Sequence, residues 1–422
     1  MSAAAGDPLP SSCDIAIVGG GAAGVATAIF AGRARSGLDV HVFEGAVRPG
    51  AKILVSGGAR CNVTNAVVVE HDFNGGRRTI VRQVIRALSV PQTRRFFETL
   101  GVPLHEEADG KLFPDANRAR SVLEALLREL ARIGAGLHTA ARVSDVLPDG
   151  DAFVVRTSRG NVRARRVVLA TGGRSLPKSG SDGHGYDLAR ALGHRIVPTT
   201  PALAPLVLDG DVHAGLAGVS HRAVLTLWTD GRVAVRVAGS MLWTHFGISG
   251  PAALDMSRHW ARAAVEGRSP SLTLAIREQP FDVVDRELID AAAARPATAL
   301  QQALASTLPA AVAAALLRRV GVAPDGPLGQ LSRADRRAVA HVLTACPLPV
   351  VDTRGYTYAE ATAGGVDLGE VDPKTMASRV REGLFLVGEI LDVDGRLGGF
   401  NFQWAWSSAY AAGTALAREN AP

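Results

Sequence analysis

Asp14-Ile-Ala-Ile-Val-Gly19-Gly-Gly21-Ala-Ala23-Gly24 is the stretch on which the reading of this chain turns. A short apolar run leads straight into Gly-x-Gly-x-x-Gly, and residues 22–35 continue with helical spacing, so the pattern reads as strand, tight turn, helix. Each glycine has a physical task there. Gly19 permits the turn, Gly21 lets the backbone approach a pyrophosphate, and Gly24 lets the helix close on the strand. Ala23 belongs to the same turn and is counted with the binding residues. The helix start also offers free N–H groups to an anion. A second apolar run over 40–43 ends at Glu44, about 20 residues past Gly24, where a carboxylate accepts hydrogen bonds from ribose hydroxyls and disfavours a 2′-phosphate.

Working outward, apolar runs at 15–18, 40–43 and 167–170 alternate with helical patterns at 22–35 and 121–133, which argues for a parallel α/β sheet. The character changes after about residue 195. Residues 223–228 and 233–237 flank Thr229-Asp-Gly-Arg232 and read as a β-hairpin, and 284–345 is Ala/Leu/Arg-rich with helical spacing. A strand-like run at 384–387, a Gly-rich loop and a helical stretch at 403–418 read as a return to the first domain. The expected organisation is therefore a disordered lead-in at 1–12, a nucleotide-binding domain from 13–194 and 355–422, and an insert at 195–354. Within the insert, a β part covers 195–283 and 346–354 and a helical part 284–345.

Composition narrows the function. With 422 residues, 47% hydrophobic and 20% charged, the chain has an ordinary globular make-up and exceeds one core. Apolar stretches such as 310–317 fall short of the ~20 residues of a membrane span, and no basic leader is seen, so a cytoplasmic protein without a membrane partner is expected. Three cysteines without a Cys-x-x-Cys pair and 11 histidines without ligand spacing argue against a metal. No Gly-x-Ser-x-Gly elbow suggests a serine hydrolase. The net charge of +6 is scattered and almost all arginine, which disfavours a nucleic-acid partner and leaves a small-molecule substrate as the expectation. The oligomeric state is not legible.

Three further segments separate FAD from a simple nicotinamide site: Lys52-Ile-Leu-Val-Ser56-Gly57-Gly-Ala-Arg60-Cys61-Asn62-Val-Thr-Asn65, Val167-Val-Leu-Ala-Thr171-Gly172-Gly173, and Gly383-Leu-Phe-Leu-Val-Gly388-Glu389. Together with Leu112-Phe-Pro-Asp115, Thr244-His-Phe-Gly-Ile-Ser-Gly-Pro251, Thr362-Ala-Gly-Gly-Val366 and the run 387–406, they make the chain resemble the YhiN/BaiN-type flavoproteins. That is an aminoacetone-oxidase-like family of NAD(P)/FAD-dependent oxidoreductases, and the resemblance runs over nearly everything from Asp14 to Gly413.

The resemblance implies an α/β fold: a glutathione-reductase-like Rossmann FAD-binding domain interrupted by an inserted β-barrel plus helical subdomain. It implies that Ser56, Gly57, Arg60, Cys61 and Asn62 line the flavin side of the pyrophosphate loop, in the segment that Lys52 opens. It places Thr171 and Gly172 beside the adenosine half, and Gly388 and Glu389 where related flavoproteins carry a Gly-Asp at the ribityl or phosphate region. Gly398-Gly399-Phe400-Asn401-Phe402 precedes a helix, so its backbone N–H groups are expected at the N1/O2 edge of the isoalloxazine, where reduction builds negative charge. His184 stands where the family often has an acid, and the Gly preference around Gly58-Ala59 is only partly met.

For the chemistry, Cys61 without a neighbouring cysteine reads as a packing residue or flavin neighbour rather than a dithiol relay. His245, flanked by Gly247 and Gly250-Pro251, is the candidate proton donor, with a tying hydrogen-bond role as the competing reading. Arg174 and Lys178 are candidate anion holders or solvated charges. Trp404 and Trp406 read as core. No second strand-Gly-x-Gly-x-x-Gly-helix unit is present, so NAD(P)H would act as a transient reductant. The expected function is an FAD-dependent oxidoreductase acting on a small molecule. The alternatives are a flavoprotein whose insert binds RNA and a flavin sensor without turnover.

Overall fold

The computed structural model describes residues 8–419 apart from Val212 and Ser306. It divides into two compact units, Met1–Thr199 with Glu360–Pro422 and Thr200–Ala359.

The first unit is built on the strand-turn-helix of the opening motif. β1 (Ser12–Val18) begins inside the stretch read as a disordered lead-in, because Ser12 pairs with Arg163 and Ser11 O accepts the Arg163 N–H. Positions 1–7 of that lead-in lie outside the described residues. Ile15, Ala16 and Ile17 are fully buried, as both faces of a central parallel strand must be. β1 is flanked in parallel by β2 (Val40–Phe43) and by the strand Gly160–Leu169. Gly136–His138 extends the sheet beyond β2, and Leu384–Leu386 pairs with residues 167–169. The first half of Gly160–Leu169 instead carries an antiparallel pair, Ala152–Thr157 and Val143–Asp149.

α1 (Ala22–Ala34) follows the turn and is buried over residues 23–31. The last helix, Phe400–Glu419, packs on it closely enough that a methyl on Gly413 would come within 2.8 Å of both Phe30 Cβ and Thr27 O. Small residues permit this contact, and the helix is buried along most of its length, with Trp404 and Trp406 in the core.

In the second unit the expected hairpin forms with longer arms, Ser220–Thr229 and Arg232–Thr244, around Asp230 (φ +52°) and Gly231 (φ +75°). Two left-handed residues match the twist of the strands. The sheet has seven strands, and its two edge strands, Cys346–Leu348 and Val350–Thr353, are separated in sequence by Pro349 alone. One intervening residue bridges opposite edges only if the sheet curls around on itself. Helices Phe281–Ala294, Leu300–Leu304, Ala310–Arg319 and Arg333–Ala345 share one apolar cluster with this sheet, including Leu225, Trp243, Leu274, Val312 and Val339. The β and helical parts are thus two layers of one core. Among the described residues no helix is long and apolar enough to cross a membrane.

Candidate functional site

Four distant segments of the first unit are laced around the opening turn. Gly20 N–H donates to Glu44 Oε2 (2.8 Å), Ala46 N–H donates to Glu44 Oε1 (2.7 Å), and Gly20 O accepts Gly50 N–H at the head of α2 (Ala51–Ala59). Glu44 is thereby aimed before any ligand arrives. The turn is crowded where it must be and open where a ligand would lie. A Cβ on Gly19 would stand 2.5 Å from Ala170 O and one on Gly24 2.0 Å from Gly19 O, whereas a Cβ on Gly21 would meet nothing within 4 Å.

Lys52 projects from the first turn of α2 to Ser175 Oγ (2.7 Å) and to Glu389 Oε2. The other Glu389 oxygen accepts from Ser175 Oγ (2.8 Å) and Thr362 N (2.9 Å). Lys52 thus offsets the negative charge of Glu389 beside the place a pyrophosphate would need. Gly388 is fixed by Ser408 Oγ on its N–H and by the Trp404 indole on its carbonyl, and a Cβ there would come within 2.7 Å of Ala23 Cβ. Thr171 and Gly172 stand close by: Gly172 has φ +74°, and a Cβ on it would reach 2.6 Å from Ser181 Oγ and 4.0 Å from Glu389 Oε2. Ser175 and Thr362 were not singled out from sequence. Their only signals were a place two residues past Gly173 and a place at the head of the Thr-Ala-Gly-Gly-Val segment.

After Ser56 (φ −68°, ψ 149°) the helical path of α2 breaks, and Gly57, Gly58, Ala59 and Cys61 all adopt φ between +54° and +66°. Cys61 N–H closes this coil on Ser56 O. Non-glycine residues held left-handed signal a loop shaped for something other than its own stability. Cys61 is fully buried, and burial pushes its thiol up to about 12, which removes it as a nucleophile. Arg60 lies 4.0 Å over the Phe113 ring and pairs with Glu107 (2.6 Å), which holds that carboxyl below its ordinary range.

The other side of the cradle is the loop Gly398-Gly399 and the start of the last helix. A Cβ on Gly399 would meet Thr64 O at 2.5 Å and Asn62 Oδ1 at 2.9 Å, and Asn65 Nδ2 donates to Gly398 O. Asn401 exchanges two hydrogen bonds with the backbone of Gly395, Phe400 is fully buried, and Phe402 stacks on Trp406. The buried Asn62 Oδ1 has no hydrogen-bond partner among the described residues. An unmet polar atom of that kind asks for a ligand group or water. With an open Gly21, a charge-balanced Glu389, a helix start and this amide, the residues present fit a dinucleotide carrying a flavin.

His245 belongs to the second unit. It is exposed on the turn between Arg232–Thr244 and Gly247–Ser249 of the second unit; a short strand, rather than only a loop, separates it from the helix Pro251–Val265. His184 opens the helix His184–Ala191, and the acid of that turn is Asp182, which caps the His184 N–H and pairs with Arg142. Arg174 and His184 line an open cavity of about 580 Å³ with Asp182, Asp187 and Arg190. Ser378, His194 and Glu370 are hydrogen-bonded in the order of a hydrolase triad. The Ser378 oxygen, however, already accepts N–H groups from Val380 and Arg381, so the series braces a turn. Among the described residues no cluster suited to a metal is found.

Comparison with known proteins agrees with this geometry. A family model described as HI0933-like protein Rossmann domain matches residues 13–415. The chain is 34% identical over 404 residues to a 3-dehydro-bile acid delta(4,6)-reductase of Clostridium scindens, covering 96% of this chain and 98% of the relative. It is 33% identical over 401 residues to a ribosomal RNA dihydrouridine synthase of Escherichia coli, covering 94% and 96%. Among solved structures, quinol fumarate reductase FrdA of E. coli is 18% identical with a TM-score of 0.51, covering 96% of this chain and 70% of that one, which is a likeness of fold. The chain belongs to the HI0933-like Rossmann family, a family of FAD-dependent oxidoreductases.

Proposed function

We propose that this protein is an FAD-dependent reductase that saturates a carbon–carbon double bond conjugated to a carbonyl, with NAD(P)H as the transient electron source. The two relatives' names share that chemistry. A 3-oxo group conjugated with double bonds at 4 and 6, and the uracil double bond conjugated to its carbonyl, both accept a hydride at the far carbon and a proton at the near one. The observation that carries the reading is the meeting of the left-handed loop, the unpartnered Asn62 amide and the Gly398–Gly399 helix start on one cradle.

Bound there, FAD supplies two-electron transfer. The chain's own residues do the rest. Gly19, Gly21, Ala23 and Gly24 admit the pyrophosphate to the α1 N-terminus, and Glu44 takes the ribose hydroxyls. Lys52 keeps Glu389 from repelling the phosphates, while Ser56, Gly57 and Arg60 shape the loop beside it and Thr171 and Gly172 flank the adenosine half. The N–H groups at Phe400, Asn401 and Phe402 face developing negative charge on the ring, and Asn62 fixes its polar edge. A small conjugated carbonyl compound is the first acceptor to test. Uridine in RNA is the second, favoured by the rRNA-named relative.

The test is anaerobic spectroscopy of the purified protein. NADH or NADPH should bleach the flavin band, and a 4-en-3-one steroid or a uridine-containing RNA should restore it with formation of the saturated product. A protein that is colourless and takes up no added FAD sinks the whole reading; bleaching without reoxidation by either acceptor sinks the double-bond assignment.

A further inference from the structure

The second unit carries an arginine whose situation differs from that of the cradle's. Strand Leu206–Leu208 pairs on one side with Gly247–Ser249 and on the other with Val350–Thr353, which brings the turn at Phe246 and the segment after Thr353 together. Arg354 donates its backbone N–H to Pro205 O, and a turn through Gly355 (φ +69°) returns Tyr358 N–H to Gly355 O. The Arg354 guanidinium thus comes to lie 3.6 Å from the centre of the Tyr358 ring and 4.4 Å from that of Phe246. It has no hydrogen-bond or ion-pair partner among the described residues. Arg60 offers the contrast: it also covers a ring, but its charge is spent on Glu107.

Ring contacts hold a guanidinium in place without using any of its N–H donors, so this one is preorganised for an oxyanion. Tyr358 is 49% exposed, and His245 beside Phe246 is exposed too, so the place is an open surface rather than a closed pocket. An open arginine-aromatic surface suits a polymer strand, in which a phosphodiester and a stacking base arrive together. We propose that this clamp binds single-stranded RNA, with one phosphodiester on Arg354 and a flanking base stacked on the open side of Tyr358. It deepens the RNA reading of the proposed function and rests on it only for the choice of acceptor.

The experiment uses the full-length, oxidised, FAD-loaded protein and the fluorescence anisotropy of a labelled uridine-rich RNA oligonucleotide, titrated at several salt concentrations. Arg354→Gln is expected to weaken binding about tenfold and to reduce the salt slope by about 0.7, the value for one phosphate on a single strand. Tyr358→Ala should also cost roughly tenfold, as stacked bases do, and Tyr358→Phe almost nothing. Arg354→Lys keeps the charge without the planar fork and should fall between wild type and Arg354→Gln. Flavin absorbance and melting temperature, read on every variant, should match wild type. Equal RNA affinity in Arg354→Gln and Tyr358→Ala overturns the proposal. So does a clamp that holds labelled cholate in an Arg354-dependent way while RNA binding ignores the substitution. No reductant or turnover enters the measurement, so failure of the reductase reading and failure of the clamp are read separately.

Discussion

The opening turn at 19–24 and the coil at 56–61 are both glycine-rich, and both lie against the same cradle, but they need their glycines for different reasons. At the first, the neighbours leave no room: Cβ atoms on Gly19 and Gly24 would collide with backbone oxygens at 2.5 and 2.0 Å. At the second, Gly57 is crowded too, with Asn62 N 2.9 Å from where its Cβ would stand, but beyond it room is available and the backbone is the constraint. Gly58 would offer a Cβ open space at φ +66°, and the chain accepts Ala59 and Cys61 in the same left-handed region. A steric requirement admits only glycine. A conformational one, costing about 1–2 kcal/mol per residue, can be tolerated when the surroundings hold the loop.

Three substitutions press on that difference. Gly24→Ala should be the most damaging, because the clash is with backbone that cannot step aside; we expect a loss of about 3 kcal/mol in urea unfolding without added flavin. Near-normal stability would show that the turn relaxes and that crowding is not its reason for glycine. Gly21→Ala is the intermediate case. Its φ of −82° suits alanine and its methyl meets no protein atom, so the apoprotein should unfold within about 0.5 kcal/mol of wild type. FAD affinity, measured by flavin fluorescence, should still fall at least about tenfold because the methyl lies where the pyrophosphate must approach. Unchanged affinity would move the ligand elsewhere. Ala59→Gly should have the smallest effect and the opposite sign: a gain of about 0.5 kcal/mol, as relief of the left-handed strain outweighs the added chain entropy. A loss there would mean the alanine methyl has a packing task.

The same contrast explains what was legible beforehand. Steric glycines at fixed spacing, a buried apolar strand and Glu44 are local facts, and they announced the Rossmann fold and the carboxylate that is tied to its turn. The hairpin at Asp230-Gly231 was legible because its turn chemistry is written in two residues. The charge balance of Lys52, Ser175, Thr362 and Glu389 was only half visible, since these positions span more than 300 residues and meet only after the sheet has formed. His245 drew notice for its glycine-flanked setting, yet it lies on an exposed turn, while Arg354, with no motif around it, acquired its setting from three paired strands. Ser12 lies in β1 rather than in a disordered lead-in because a polar residue at the end of a central strand can still pair through its backbone.

The burial of Cys61 also bears on how long such a protein lasts. Chemistry that moves electron pairs near air leaks some of them to oxygen as peroxide, and peroxide attacks accessible thiolates first and exposed thioethers next. Cys13, Cys61 and Cys346 are all buried, with burial raising each thiol, Cys13 and Cys61 to about 12, and Met241, Met256 and Met376 are wholly enclosed. Among the described residues every sulfur atom is therefore shielded, so peroxide reaching this fold would meet no accessible sulfur.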